Sequence, residues 1–124
     1  MFLGLDIGTS SVKAILVDES QQIIVQASAP LSISRPNPGW SEQNPEDWWQ
    51  ACIQALNNIS TSNPAAYKKI KSIGMSGQMH GATLLDKKGM ALRPAILWND
   101  GRCASQCITL EQRALKLRQL TGNR

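Results

Sequence analysis

Residues 2–29 hold three short apolar runs of strand length, separated by polar turns. In the first, Phe2-Leu3-Gly4-Leu5-Asp6-Ile7, bulky residues stand at alternate positions (Leu3, Leu5, Ile7), the pattern of a buried strand. Residues 12–18 and 23–29 read as two more strands, joined by the polar turn Glu19-Ser20-Gln21-Gln22. Links this short leave no room for a crossover helix, so the three strands form an antiparallel meander. The prolines of Arg35-Pro36-Asn37-Pro38-Gly39-Trp40 then remove donors that a sheet would need. Asn44 suits a helix N-cap, Pro45 the first helical position, and Glu46 and Asp47 the positive end of the dipole. Trp49, Cys52, Ile53, Leu56 and Ile59 recur at helical spacing and predict a helix with one face on the sheet. As neighbours on that helix, Trp48 and Trp49 read as core and rim.

Residues 60–65 are rich in helix breakers and predict a loop, and residues 70–76 predict a strand. A helix between this strand and the meander makes a crossover, so the sheet turns parallel there. Residues 83–86 and 92–98 are expected as strands around the turn Lys87-Lys88-Gly89. Cys103, Cys107, Leu110, Ala114 and Leu117 form one apolar stripe, which predicts a single helix over 102–120. Thr121-Gly122-Asn123-Arg124 reads as its stop. The expectation is an α/β protein whose mixed sheet has an antiparallel meander and flanking helices. This order of elements suits a ribonuclease H-like fold.

Composition narrows the class without naming a reaction. The 124 residues are the size of one domain, and 42% hydrophobic with 18% charged residues is ordinary for a globular protein. No apolar stretch reaches membrane-spanning length, and no basic segment precedes an apolar signal region, so a cytoplasmic protein with no membrane partner is expected. Cys52, Cys103 and Cys107 are an odd number in no disulfide pattern, and His80 is the only histidine and lies far from them. Buried reduced thiols are therefore expected in place of a zinc site. The net charge is +4, with Arg102, Arg113, Lys116, Arg118 and Arg124 near the end facing only Glu111. No aromatic residues interleave them, so they read as a solvated helix face and no nucleic-acid partner is expected.

Candidate chemistry gathers at three places. Asp6 sits near the end of a buried strand, where a carboxylate needs a partner. Gly8 permits a sharp turn, and Thr9, Ser10 and Ser11 offer hydroxyls and backbone N–H groups that could cradle an anion. A carboxylate for Mg²⁺ beside donors for phosphate is a nucleotide site in outline, though Asp-x-Gly-Thr is also an ordinary tight turn. The spacing is not that of a Walker A loop. Gly77-Gln78-Met79-His80-Gly81 follows a strand end, where α/β sheets place ligand-contacting groups. Trp98-Asn99-Asp100-Gly101-Arg102 is a third concentration of polar groups, beside an aromatic residue. By themselves, Met79 reads as core packing and His80 as a histidine satisfied by its own loop.

The first loop resembles the first phosphate loop of the actin, heat-shock-protein and sugar-kinase superfamily. Asp6-Ile7-Gly8-Thr9-Ser10, Gly77–Gly81 and Trp98–Arg102, taken with Gly39-Trp40-Ser41-Glu42-Gln43, resemble the N-terminal part of the FGGY family of carbohydrate kinases. Within it, the Gln-Met-His-Gly and Trp-Asn-Asp-x-Arg pair is most similar to the bacterial members acting on D-xylulose. The resemblance covers essentially the whole chain and implies the actin-like ATPase version of the ribonuclease H-like fold. It also implies transfer of the ATP γ-phosphoryl group to D-xylulose, giving D-xylulose 5-phosphate. By that likeness Asp6 would hold Mg²⁺ through water, and Thr9, Ser10 and Lys13 would meet the phosphates. Met79 and His80 match the sugar-contacting pair, and Trp98 would wall the sugar. Asn99, Asp100 and Arg102 stand as further sugar contacts or as residues that shape the site.

Members of this family are several times longer, with two such domains closing on a cleft. Their catalytic base, an Asp, and their adenine pocket have no counterpart in residues 1–124. The chain is thus expected to be an incomplete N-terminal domain, inactive alone, with no catalytic residue of its own. Exposed sheet edges lead to the expectation of a homo-oligomer, a dimer first. Three other readings compete. A junction-resolvase-like nuclease needs clustered carboxylates around two metals, and residues 70–76 offer none. A non-kinase ATPase leaves Met79-His80 and Trp98-Asn99-Asp100 without a role. A kinase of another sugar or polyol stays open.

Overall fold

The computed structural model describes residues 1–122. Strands β1 (Phe2–Ile7), β2 (Ser11–Val17) and β3 (Ile23–Pro30) form the expected antiparallel meander. Leu3 pairs with Leu16, Leu5 with Ala14 and Ile7 with Val12, which puts the bulky alternate positions on one face. Leu3, Leu5, Val12, Ala14, Leu16 and Ala29 are buried there. A two-residue strand, β4 (Glu42–Gln43), follows the proline-rich stretch and leads into helix α1 (Pro45–Ser62).

The Asn44 side chain caps α1 by accepting from the Glu46 N–H at 3.2 Å, with Pro45 in the first turn. Ala51, Cys52, Ala55 and Ile59 close the core against the sheet. Trp48 packs at the edge of that core while Trp49 is 62% exposed, which separates the core and rim tryptophans. The loop expected at 60–65 is instead helical. Helix α1 runs to Ser62, and Asn63 both ends it and caps the short helix α2 (Pro64–Tyr67), accepting from the Ala66 N–H at 3.1 Å. Proline at the first position of α2 and burial of Ala66 convert the breakers into a helix start.

Strand β5 (Ser72–Gly77) then lies parallel to β1, giving the order β3-β2-β1-β5. Helix α1 packs chiefly over β2 and β3, so all six residues of β5 remain exposed at the sheet edge. Beyond β5, the two strands expected at 83–86 and 92–98 shrink to β6 (Ala95–Ile96), paired with β4, and the isolated bridges Ala82–Ile96 and Leu85–Ala91. Pro94 lacks a donor, and Leu84, Leu85, Met90 and Leu92 have no layer to pack on and stay exposed. Asp86 shapes the turn between them, accepting from the Lys88 and Met90 N–H groups.

The single helix expected over 102–120 is two, α3 (Ala104–Arg113) and α4 (Leu117–Thr121), broken at 114–116. No residue of either is buried, and helical stability comes mostly from packing an apolar face, so a stripe without a surface does not hold one long helix. Cys52 is buried, but Cys103 and Cys107 are exposed, which corrects the expectation for those two thiols. Gly122, at φ 69°, ends α4; the remainder of the predicted stop, Asn123 and Arg124, lies outside the described residues. Among the described residues no helix is long and apolar enough to cross a membrane.

Candidate functional site

The ends of the parallel strands β1 and β5 build the site. After β1 the chain turns tightly, with the Gly8 N–H donating to the Ser11 carbonyl at 3.1 Å. A Cβ on Gly8 would stand 3.0 Å from that same carbonyl oxygen, so the turn requires glycine. The Ser10 carbonyl accepts from the Leu31 N–H at 2.9 Å, which anchors the loop while its hydroxyl side stays exposed. After β5, Gly77 lies so near β1 that a Cβ would stand 3.0 Å from the Ile7 carbonyl oxygen. The Gln78 N–H extends the pairing to Ile7 at 2.9 Å, and His80 sits at φ 63°, turning its loop back over β1.

Asp6 points to the sheet face opposite the core. Its register partners are Lys13 on β2 and Ser76 on β5, and its Oδ1 accepts from the Ser76 hydroxyl at 2.9 Å. Carboxylate, ammonium and hydroxyl thus share one face, around a depression also lined by Gly4, Ile15 and Gly74. Asp6, Thr9, Met79, His80 and Trp98 line an adjoining open cleft of about 340 Å³ with Gly8 and Gln78. Five of the residues singled out from the sequence therefore meet in one place. Met79 is 67% and Trp98 59% exposed, so neither serves as core packing.

Beneath the cleft is a polar network. The Thr9 hydroxyl donates to Gln78 Oε1 at 3.0 Å and accepts from Trp98 Nε1 at 3.1 Å. Gln43 is 1% exposed and joins the pieces. Its Nε2 donates to the Thr9 carbonyl at 2.7 Å and to the Ser32 carbonyl at 3.1 Å. Its Oε1 accepts from Trp48 Nε1 at 2.9 Å and from Gln78 Nε2 at 3.0 Å. Gln43 enters the sequence analysis only as the last residue of the Gly39–Gln43 motif and with no role of its own, because a polar residue between a loop and a helix carries no periodicity that announces burial.

Asn99 is exposed beside Trp98, whereas Asp100 turns inward. The Asp100 carboxylate accepts from the Ser41 N–H at 2.6 Å and, through both oxygens, from the Arg102 side chain at 2.7–2.8 Å. The Arg102 guanidinium holds it well below the usual carboxylate range, helped by the Ser41 and Arg102 N–H groups against the effect of burial. Arg102 in turn pairs with Glu42 at 2.7 Å and stacks 3.7 Å over the Trp40 ring, while Arg93 also pairs with Glu42. Asp100 and Arg102 thus fasten the Trp98 loop to residues 40–42.

For a metal, the residues offer one carboxylate and hydroxyls. Among the described residues no group of three His, Cys, Asp or Glu could enclose an ion. That donor set fits a hydrated Mg²⁺, which keeps its waters and takes one or two carboxylates together with substrate phosphates. It does not fit a dehydrated structural metal.

The chain is a mixed α/β domain with a carboxylate and a hydroxyl loop beside a second loop at the ends of parallel strands, and it belongs to the FGGY family of carbohydrate kinases, whose N-terminal domain matches residues 1–124. It is 50% identical over 123 residues to a xylulose kinase of Klebsiella pneumoniae, covering 99% of this chain and 25% of that protein. A glycerol kinase of Acinetobacter baylyi is 38% identical over 125 residues, covering 98% of this chain and 25% of its own length. The crystal structure of a xyloylose kinase from Brucella ovis superposes with a TM-score of 0.93 at 49% identity, covering 98% of this chain and 25% of that one. The chain thus spans about a quarter of the length of these relatives.

Proposed function

We propose that the protein carrying this chain transfers the γ-phosphoryl group of ATP to a hydroxyl of D-xylulose, giving D-xylulose 5-phosphate. The observation that carries this reading is the meeting of Asp6 and Thr9 with Met79, His80 and Trp98 in one cleft. Asp6 holds a hydrated Mg²⁺, which screens phosphate charge when bound. Thr9, Ser10 and Lys13 receive the phosphates. Met79 and His80 contact the sugar, Trp98 forms an apolar wall, Asn99 adds a polar contact at the rim, and Asp100 holds that rim in place. The domain is the N-terminal, ribonuclease H-like half of an actin-like ATPase pair. The base and the adenine pocket belong to the other part, so residues 1–124 are an incomplete domain that positions ligands without supplying a catalytic group. Such an ATP-fed reaction belongs in the cytoplasm, and the bare β5 edge favours a homodimer.

An ADP-release assay on the full-length protein with D-xylulose, glycerol and gluconate tests the reading. D-Xylulose is expected to give the highest kcat/KM, and residues 1–124 alone no turnover, because transfer needs nucleotide, metal and acceptor held together. Asp6→Asn should lower kcat about 10²-fold while leaving sugar KM nearly unchanged. Equal or faster turnover of glycerol would overturn the assignment, as would an Asp6→Asn effect confined to KM.

A further inference from the structure

We infer that Gln43 is a positioning residue that couples the two halves of the cleft through Gln78 and Thr9, so that nucleotide and sugar each tighten the binding of the other. The inference rests on the kinase reading above and adds to it a mechanism of communication.

A glutamine amide has two N–H donors and two oxygen lone pairs, and Gln43 has a partner for every one. The partners come from separate segments: Thr9 in the loop after β1, Ser32 beyond β3, Trp48 on α1 and Gln78 in the loop after β5. Buried as it is, this amide cannot turn over without leaving polar groups unpaired. Its orientation therefore dictates the next one. Because Gln43 presents Oε1, Gln78 must present Nε2 to it, and the Gln78 Oε1 is left facing the Thr9 hydroxyl. Trp98 Nε1 supplies a proton to Thr9 from the other side, so the Thr9 hydroxyl donates to Gln78.

In this state the Thr9 proton is engaged and is not offered to the cleft. A phosphate oxygen arriving at the loop draws that proton away, since a hydrogen bond to an anion outweighs one to a neutral amide. Gln78 Oε1 then loses its donor on the side that lines the cleft beside Met79 and His80. A sugar hydroxyl restores the missing hydrogen bond. Each ligand removes a cost that the other would otherwise meet, and by linkage the coupling is reciprocal. Gln43 makes this work by keeping the Gln78 amide from flipping to hide its vacancy.

The experiment is calorimetric titration of the full-length protein with D-xylulose, with and without a saturating non-hydrolysable ATP analogue and Mg²⁺. The expected result is a sugar Kd lowered by the analogue about 5-fold or more, with the analogue Kd lowered by the same factor when sugar is present. In Gln78→Ala and Gln43→Met the ratio should fall towards 1, while Trp49→Ala, on the exposed side of α1, keeps it. If Gln43→Met does not fold, Gln78→Ala, at a partly exposed loop position, carries the test. A residue that only supported the fold would lower stability and both affinities while leaving the ratio intact, and that result would overturn the inference. So would a wild-type ratio near 1 with both ligands bound. Failure of either ligand to bind would overturn the kinase reading and this inference with it.

Discussion

Residues 1–77 contain a core: Leu3, Leu5, Val12, Leu16, Ala55 and Ile59 are all buried between one face of the sheet and α1, while Ile23, Trp49, Ile73 and Met75 stand exposed outside it. In residues 78–122, Ala95 and Leu97 are the buried apolar side chains, while Leu84, Leu92, Ile108, Leu115 and Leu120 are more than half exposed. Instead of a core, this second region has points of attachment. Gly101 N–H reaches the Gly39 carbonyl at 2.8 Å, Leu97 N–H the Ser41 carbonyl at 3.0 Å, and Asp100 and Arg102 lock onto residues 40–42. The contrast teaches that two kinds of force build the cleft. Hydrophobic burial holds the strand that presents Asp6, and buried polar clamps hold the loop that presents Trp98 against it.

The largest effect should follow from breaking the first kind. Ile59 is fully buried near the end of α1, so Ile59→Ala removes packed volume that the sheet cannot refill. A loss of about 2–5 kcal/mol is expected, read as a lower urea midpoint at an unchanged m-value. A loss below about 1 kcal/mol would mean that α1 is not the lid of the core.

His80 tests whether the second region carries ligand chemistry in place of a core. His80→Ala in the full-length protein should weaken sugar binding by about 1–3 kcal/mol, by leaving a sugar hydroxyl unpaired, with little change in ATP affinity. Calorimetric Kd values for both ligands provide the check. If the variant unfolds instead, His80 is a structural residue of its loop.

The same contrast explains what was legible in the chain. The meander, the N-cap at Asn44 and the parallel return at β5 follow from alternation, capping chemistry and link length, all local signals that burial then reinforces. The strands at 83–86 and 92–98 and the long final helix were over-read because a periodic apolar pattern predicts an element only where a layer exists to receive it. Residues 104–121 have the stripe and lack the layer. Breakers misled in the opposite direction at Asn63-Pro64, where they start a helix. The site loops were legible as motifs, since glycine, Thr9 and Trp98 serve special geometry or chemistry. The part played by Gln43 within its motif was not, because it lies in four partners from distant segments, which no spacing reports.

Acid should erode the stability that the polar clamp contributes. The folded-state pKa of Asp100 is depressed by Arg102, so its contribution to stability is present above the ordinary carboxylate pKa of about 4 and is lost as pH falls through and below that value. The urea midpoint of the chain should therefore drop between about pH 5 and pH 3, and Asp100→Asn should be less stable at neutral pH with a shallower slope over that window. Asp100 stays ionised in the folded chain over that window, so Trp40, stacked under Arg102, should keep its folded-state fluorescence until the chain unfolds. Identical slopes in the two proteins would show that the clamp does not hold the loop.

The smallest effect on stability should come from the exposed stripe. Leu115 is 91% exposed, so its side chain contributes almost no buried area within one chain. At roughly 25 cal/mol per Å² of area removed from water, Leu115→Ala should change the unfolding free energy read from urea titration by no more than about 0.5 kcal/mol, an ordinary surface value. Its effect belongs to association instead. Exposed Leu115 and Leu120, together with the open β5 edge, give a second copy something to cover, and a net charge of +4 is a weak deterrent. Sedimentation across a concentration series should show self-association of the chain, weakened by Leu115→Ala at constant stability. A chain that stays monomeric at every concentration, or a variant that loses more than about 1 kcal/mol, would mean that the second region folds on the first more than their contrast in burial allows.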